Sequence, residues 1–177
     1  VTGTNGKTST SHLLESIWKT FGIKVGMIGT LGHRIAGETF PASHTTPDVV
    51  EVQRLLRQMV DAGCQACVME VSSHALEQGR VDGLHFDGAI LTNITPEHLD
   101  YHGDMESYYL AKSKLFFERL PESRKEKRFA VINIDDPFGD RLAEQFRGKL
   151  WRYGERQGDV VAREIDARSD GITLLLS

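Results

Sequence analysis

The chain opens VTGTNGKTST, and within it Gly3, Thr4, Asn5, Gly6, Lys7, Thr8 and Ser9 are the residue types that hold phosphate. Glycines let backbone N–H groups close around phosphate oxygens, a lysine adds a point charge, and a threonine hydroxyl can hold Mg²⁺. The commoner spacing wants a glycine five residues before Gly6, where this chain has Val1, with its other glycine at position 3. Two more stretches carry chemistry. In VMEVSS, Glu70 closes an apolar run, a costly place for a carboxylate unless it is paired or binds a cation. In LTNITPEHLDYHG, Thr95 and Pro96 mark a helix start, with His98 just inside it. A buried ion pair would explain Glu70 alone, and a structural role would explain His98 alone. The functional reading rests on convergence. In a parallel sheet, Lys7, Thr8, Glu70 and His98 all fall at carboxyl ends of strands, where open α/β sheets bind ligands.

Lys112 is a further unusual residue. On the stretch DMESYYLAKSKLFFERL its helical neighbours are Tyr108, Tyr109, Leu115 and Phe116, an apolar stripe. A lysine there either snorkels to water, as expected for Lys114, or is buried. Burial favours the neutral amine. A neutral amine can add to CO₂, and the resulting carbamate would be a hard oxygen ligand for Mg²⁺.

Positioning these groups requires a particular set of elements. Leu13, Leu14, Ile17, Trp18 and Phe21 give a helical stripe between Thr8 and Phe21, stopped by Gly22. KVGMIGT reads as a strand and GHRIAGETF as a small hairpin or excursion. Pro47 opens a second helix with Val49, Val52, Leu55, Leu56, Met59 and Val60 on one side, ending at Gly63. ACVMEV and DGAILTNI are continuous apolar runs of the kind that fill a sheet covered on both faces. A helix from about Asp104 to Leu120 follows, then the strand FAVINI and a helix after Asp136. KLWRYG, DVVAREIDA and GITLLLS read as successive strands of an antiparallel extension, and PESRKEKR as a solvated loop. The alternation implies an α/β fold: a mostly parallel, doubly wound sheet flanked by helices, with a small antiparallel extension near the C-terminus.

At 177 residues, with 40% hydrophobic and 26% charged residues, the chain suits one ordinary globular domain. A net charge of −4 offers no electrostatic footprint for nucleic acid. No apolar run approaches a membrane span. Cys64 and Cys67 form a lone CxxC with no second ligand pair, and they run into a strand instead of opening a helix. Two packed thiols are therefore expected.

Taken in order, VTGTNGKTS, HTTPD, MEVSSHALEQGRV, LTNITPEHLDYHG, MESYYLAK and VINIDD resemble the central ATPase domain of the Mur ligase family. The likeness is greatest to its branch that adds the third residue of the peptidoglycan stem peptide. It covers essentially the whole chain and accounts for the displaced glycine, since the family's loop reads TGTNGKT. It implies that residues 1–177 are an incomplete central ATP-binding domain. A UDP-binding domain and residues of the first strand would lie in front. The rest of the ATPase domain and an amino-acid-binding domain would lie behind. It implies ATP and Mg²⁺ as cofactors, with Gly3 to Ser9 around the phosphates and Lys7 on the transferred phosphoryl group. Thr8 and Glu70 would hold one Mg²⁺; His98 and a CO₂-derived carbamate on Lys112 would hold a second. His44, Thr45, Thr46, Ser72, Gln78 and Arg80 would contact UDP-MurNAc-L-Ala-D-Glu; relatives often have Asn at the position of His44. A diamino acid would be the second substrate, the location cytoplasmic, and no nucleic acid or membrane is implied. Asn133 to Asp136 would lie near the nucleotide without an assigned role. A folylpolyglutamate synthase-like ligase would carry GKGS in the loop and leave SSHALEQGR unexplained. A P-loop kinase or GTPase would leave HTTPD and Lys112 unexplained, and NKxD is absent.

Overall fold

The computed structural model describes residues 1–168 and 171–177. In chain order the elements are α1 (Lys7–Thr20), β1 (Val25–Ile28), β2 (His33–Ile35), β3 (Glu38–Phe40), α2 (Val49–Asp61), β4 (Ala66–Met69) and α3 (Ser73–Glu77). There follow β5 (Gly88–Leu91), α4 (Leu99–His102), α5 (Met105–Lys114), β6 (Phe129–Asn133), α6 (Pro137–Gln145), β7 (Lys149–Gly154), β8 (Val160–Arg168) and β9 (Gly171–Leu176).

Two runs of strands, β3-β2-β1-β4 and β5-β6-β7-β8-β9, are joined by the first two residues of the chain. Val71 N–H donates to the Val1 carbonyl (2.8 Å), Thr2 N–H to Ile90 (2.8 Å) and Thr92 N–H to Thr2 (3.0 Å), so residues 1–2 lie between β4 and β5. Thr2 pairs with Leu91 in parallel sense. From this pivot the chain builds β1 and β4 on one side and β5, β6 and β7 on the other, all parallel where they pair. Such a reversal of strand order opens a crevice at the carboxyl ends of the strands. The phosphate-binding stretch begins there.

The expected α/β architecture is present, with local differences. KLWRYG (β7) continues the parallel sheet beside β6, so only β8 and β9 form the antiparallel extension. Helix α2 starts two residues after Pro47, because the Asp48 side chain caps it by accepting from Val50 and Glu51 N–H. Val52, Leu55 and Met59 fill its buried face, while Val49 and Val60 are exposed. Cys64 and Cys67 are free thiols packed against the core. Burial pushes the Cys67 thiol up to about 12. Among the described residues no helix is long and apolar enough to cross a membrane.

Helix α1 departs most from expectation. Helical geometry puts Ser11, Leu14, Glu15 and Trp18 on one face and Leu13, Ile17 and Phe21 on the next. The first set faces the sheet: Leu14 and Trp18 pack on Val1, Val25, Met27 and Val68. Leu13, Ile17 and Phe21 stay exposed. Glu15 can be buried because Lys19 (2.7 Å) and Arg34 of β2 (2.6 Å) both reach its carboxylate. Burial opposes its charge, but these two cations outweigh that and hold its carboxyl below the usual range.

The helix expected at Thr95 and Pro96 begins later, and His98 is not inside it. Helix α4 covers only Leu99–His102, and His98 precedes it in the left-handed region (φ 56°). Pro96 disfavours a helical Thr95, whose backbone is instead used elsewhere, as described below. The helix from Asp104 exists as α5, capped by the Asp104 side chain on Ser107 N–H, and passes into a π-helical turn at Leu115–Arg119.

Asp136 is the buried latch between the crevice and α6. Its carboxylate accepts from Phe138 and Gly139 N–H at the helix start and from Ile94 N–H beyond β5 (2.6 Å). Replacing Asp136 by Ala removes a helix cap and strands a buried donor, a cost of about 2–4 kcal/mol. Urea denaturation of the variant is expected to show that loss; unchanged stability would contradict the latch.

Candidate phosphate and metal site

The loop from Gly3 to Gly6 turns the chain from the sheet into α1. Gly3 (φ 146°) lies so close to Thr92 that an added Cβ would sit 1.9 Å from Thr92 Oγ1. Gly6 (φ 81°) makes the left-handed residue from which α1 starts at Lys7. The segment after β5 clamps this loop. Thr4 and Asn5 N–H donate to the Asn93 carbonyl and side-chain oxygens (2.8 and 3.0 Å), and Thr92 Oγ1 donates to Asn5 O (2.6 Å). Thr4 Oγ1 donates to Thr95 O, accepts from Thr95 N–H (2.9 Å), and lies 3.2 Å from the Tyr108 hydroxyl. Thus Thr95 serves the loop and not a helix. Gly6 and Lys7 to Ser9 lie at the N-terminal turn of a 14-residue helix, whose open N–H groups and dipole favour anions. Ser9 is exposed on that turn.

Two lysines meet at this loop. Lys7 Nζ donates to Gly3 O and Thr4 O (both 2.8 Å), and Lys112 Nζ donates to the same Gly3 oxygen (3.0 Å). Lys112 is 1% exposed, with its Nζ 4.5 Å from the centroid of the buried Tyr108 ring. Burial, aided by the neighbouring Lys7 charge and opposed by Glu97, lowers the Lys112 ammonium from 10.5 to about 7. Burial also lowers Lys7. Lys114 behaves as its sequence suggested, reaching outward to pair with Glu77 (2.6 Å).

Glu70 follows β4 and is wholly buried. Its Oε2 accepts from Thr8 Oγ1 (2.8 Å) and Thr30 Oγ1 (3.1 Å), and its Oε1 from Thr30 N–H (3.1 Å). All of these donors are neutral. A buried carboxylate held only by neutral donors, with a threonine oxygen beside it, is a hard-oxygen set that fits Mg²⁺. Lys7, Thr8, Glu70 and Lys112 therefore come together around one loop. His98 does not join them directly. It is half-exposed, 3.7 Å from Glu97, with its ring 4.9 Å from His74 and 6.4 Å from Tyr108. Tyr108 is the neighbour that His98 and Lys112 share.

The HTTPD segment is tied to the end of β4. Buried Thr46 donates to Glu70 O (2.8 Å) and accepts from Ser72 N–H (3.1 Å), and Thr45 Oγ1 lies 3.0 Å from Thr30 Oγ1. Ser72 caps α3. Arg80 Nη1 donates to Thr46 O (2.8 Å). His44, Gln78 and Arg80 line a cavity of about 330 Å³ together with Asp48 and Val49. Of the six residues named from the sequence, His44, Gln78 and Arg80 share this cavity, while Thr45, Thr46 and Ser72 are tied to Thr30 and to the end of β4.

Sequence reasoning gave no site role to Thr30, Thr92, Asn93, Thr95, Glu97 or Tyr108. Thr30 carried a usable signal, since it ends an apolar strand just as Glu70 does. Asn133 spends its amide on Thr92 O and Asp135 N–H, which ties β6 to β5.

The fold and the loop define a nucleotide-phosphate domain. The Mur ligase middle domain matches residues 1–177, and the chain belongs to that family. It is 50% identical over 175 residues to the UDP-N-acetylmuramoyl-L-alanyl-D-glutamate–2,6-diaminopimelate ligase of Geobacter metallireducens, covering 98% of this chain and 34% of that protein. The ligase of the same name from Thermosynechococcus vestitus is 49% identical, over 98% of this chain and 34% of that one. A solved structure of a ligase with that name superposes with a TM-score of 0.85 at 33% identity, covering 99% of this chain and 36% of its own. The chain spans about a third of the length of these relatives. Family membership leaves no place for the kinase or GTPase alternative.

The depressed Lys112 has a sign that can be checked. Below about pH 7 the amine is charged in both folded and unfolded chains, and burying it is costly. From about 7 to 10.5 the unfolded chain holds a proton that the folded chain does not, so stability rises with pH. In CO₂-free buffer, urea denaturation is expected to show the wild type gaining on Lys112→Met between pH 7 and 9. A gap independent of pH would contradict a buried amine.

Proposed function

We propose that the chain is the ATP-binding central domain of a three-domain cytoplasmic ligase that joins 2,6-diaminopimelate to the D-Glu of UDP-MurNAc-L-Ala-D-Glu. The observation that carries this is the meeting of Lys7, Lys112, Thr8 and Glu70 at the Gly3–Gly6 loop. The names of the half-identical relatives support the substrates, and SSHALEQGR supports a muramoyl over a folyl acceptor.

The D-Glu γ-carboxylate attacks the γ-phosphorus of ATP, ADP leaves, and an acyl phosphate forms. The diamino acid's amine then adds to the acyl carbon, and phosphate leaves from the tetrahedral intermediate. The obstacle is the approach of two anions. N–H groups of Gly6 and of the first turn of α1, Lys7 to Ser9, bind the phosphates, since those of Thr4 and Asn5 are committed to Asn93. Lys7 turns from Gly3 O and Thr4 O toward the transferred phosphoryl group. Thr8 and Glu70 would hold one Mg²⁺, and His98 with a carbamylated Lys112 a second, provided the His98 ring reaches that carbamate. Bound there, the ions would supply positive charge against the approaching anions. The carbamate arises when the neutral Lys112 nitrogen bonds to the carbon of CO₂ and loses a proton to solvent. Arg80 and Gln78, with His44, Thr45, Thr46 and Ser72, hold the UDP-linked substrate, the guanidinium being suited to its carboxylate or phosphate.

With ATP, Mg²⁺, UDP-MurNAc-L-Ala-D-Glu and diaminopimelate, the complete ligase is expected to release ADP and phosphate and to yield the tripeptide by mass spectrometry. ADP release indifferent to the UDP-linked substrate would overturn the reading. Lys112→Ala should lose most turnover, with partial rescue by a small carboxylate; activity near wild type would remove Lys112 from the mechanism. With ¹³C-bicarbonate, a carbamate resonance absent from Lys112→Ala is expected in the wild type.

A further inference from the structure

The Arg80 guanidinium is held by neutral oxygens alone. Its Nε (2.9 Å) and Nη2 (2.6 Å) donate to the Gln78 side-chain oxygen, and Nη1 donates to Thr46 O. Three of its five N–H groups are so committed, which leaves two free on a residue that lines the 330 Å³ cavity. Its direction toward an anion therefore depends on Gln78. Because the Gln78 oxygen faces the guanidinium, its NH₂ must point away, and there it donates to the Tyr101 hydroxyl (3.3 Å).

Tyr101 is itself held. Its ring lies 4.2 Å from that of His74, tilted by 38°, and edge-on to His102 at 4.8 Å. His102 Nε2 in turn lies 2.9 Å from the buried Ser73 hydroxyl of α3. Tyr101 and His102 also line a second cavity, of about 460 Å³, with Glu77, Ser107 and Leu110. The Gln78–Tyr101 contact thus joins the rims of two cavities and links the substrate side of α3 to α4, the helix that His98 precedes.

We propose that Tyr101 is a positioning residue whose hydroxyl orients the Gln78 amide and, through it, the anion-facing edge of Arg80. The inference rests on Arg80 contacting the UDP-linked substrate. The Tyr101 hydroxyl bonds Gln78 and none of the residues assigned to phosphate or metal, and only its backbone N–H meets the His98 carbonyl (3.1 Å). Losing its hydroxyl should therefore weaken substrate binding while leaving ATP use intact. A single neutral hydrogen bond corresponds to a change of about two- to tenfold.

The test is steady-state kinetics of the complete ligase with Tyr101→Phe, Gln78→Ala and the double variant, each with its thermal midpoint. For Tyr101→Phe, the KM for UDP-MurNAc-L-Ala-D-Glu is expected to rise about threefold or more. Its kcat, ATP KM and thermal midpoint should stay at wild-type values. The double variant should be no worse than Gln78→Ala, since both changes cut the same chain of contacts. An unchanged KM, a loss in kcat or thermal midpoint instead, or full additivity with Gln78→Ala would each overturn the proposal. A wild-type enzyme that ignores the UDP-linked substrate would show a different failure, that of the functional reading itself, and the proposal would fall with it.

Discussion

The site depends on one electrostatic constraint: two lysine ammonium groups donate to a single carbonyl, that of Gly3, while the carboxylate of Glu70 lies buried nearby. Like charges so close in a low-dielectric interior disfavour each other's charged form. Burial first, and then the Lys7 charge, lowers Lys112 to about 7, and burial lowers Lys7 as well. Among the described residues neither lysine is ion-paired, although Glu97 lies within electrostatic reach, and Glu70 accepts hydrogen bonds from neutral donors. Nucleotide phosphate and a hard metal ion are the species that would answer both.

Holding that arrangement requires the loop backbone to stay where it is, and the segment after β5 does this. Thr92, Asn93 and Thr95 supply side-chain and backbone partners to Thr2, Thr4 and Asn5. Gly3 is needed because Thr92 occupies the space of a side chain. The same segment is held from behind by Asp136 at Ile94 and by Asn133 at Thr92. The VINIDD motif therefore contributes rigidity to the crevice. Tyr108 completes the clamp, its hydroxyl beside Thr4 and its ring beneath Lys112.

Helix α1 shows where a pattern of apolar residues misleads. Its five large apolar residues span more of the helix than one contact face can bury. The sheet takes Leu14 and Trp18 and leaves Leu13, Ile17 and Phe21 outside. The position between these two half-buried residues goes to Glu15, whose burial depends on Lys19 and on Arg34, which arrives from a different element. Nothing local to α1 announces that partner.

Much of the candidate site was legible in short stretches because a phosphate-binding loop is a local device. Gly3 and Gly6 for backbone approach, Lys7 for charge and Thr8 for a metal oxygen are adjacent in the chain, and apolar runs ending in Glu70 or in TNIT mark strand ends directly. The alternation of strands and helices likewise determined the α/β class, since period and apolar content are properties of each segment. Tertiary structure alone decided what depends on residues far apart. It brought Lys112 to Gly3 across 109 positions, gave Glu70 its Thr30 partner, and put β7 in the parallel sheet. It also set His98 before its helix, with Tyr108 as the neighbour it shares with Lys112. Hydrogen bonds and burial between distant segments have no period to read, so their partners emerge only when the sheet order is known.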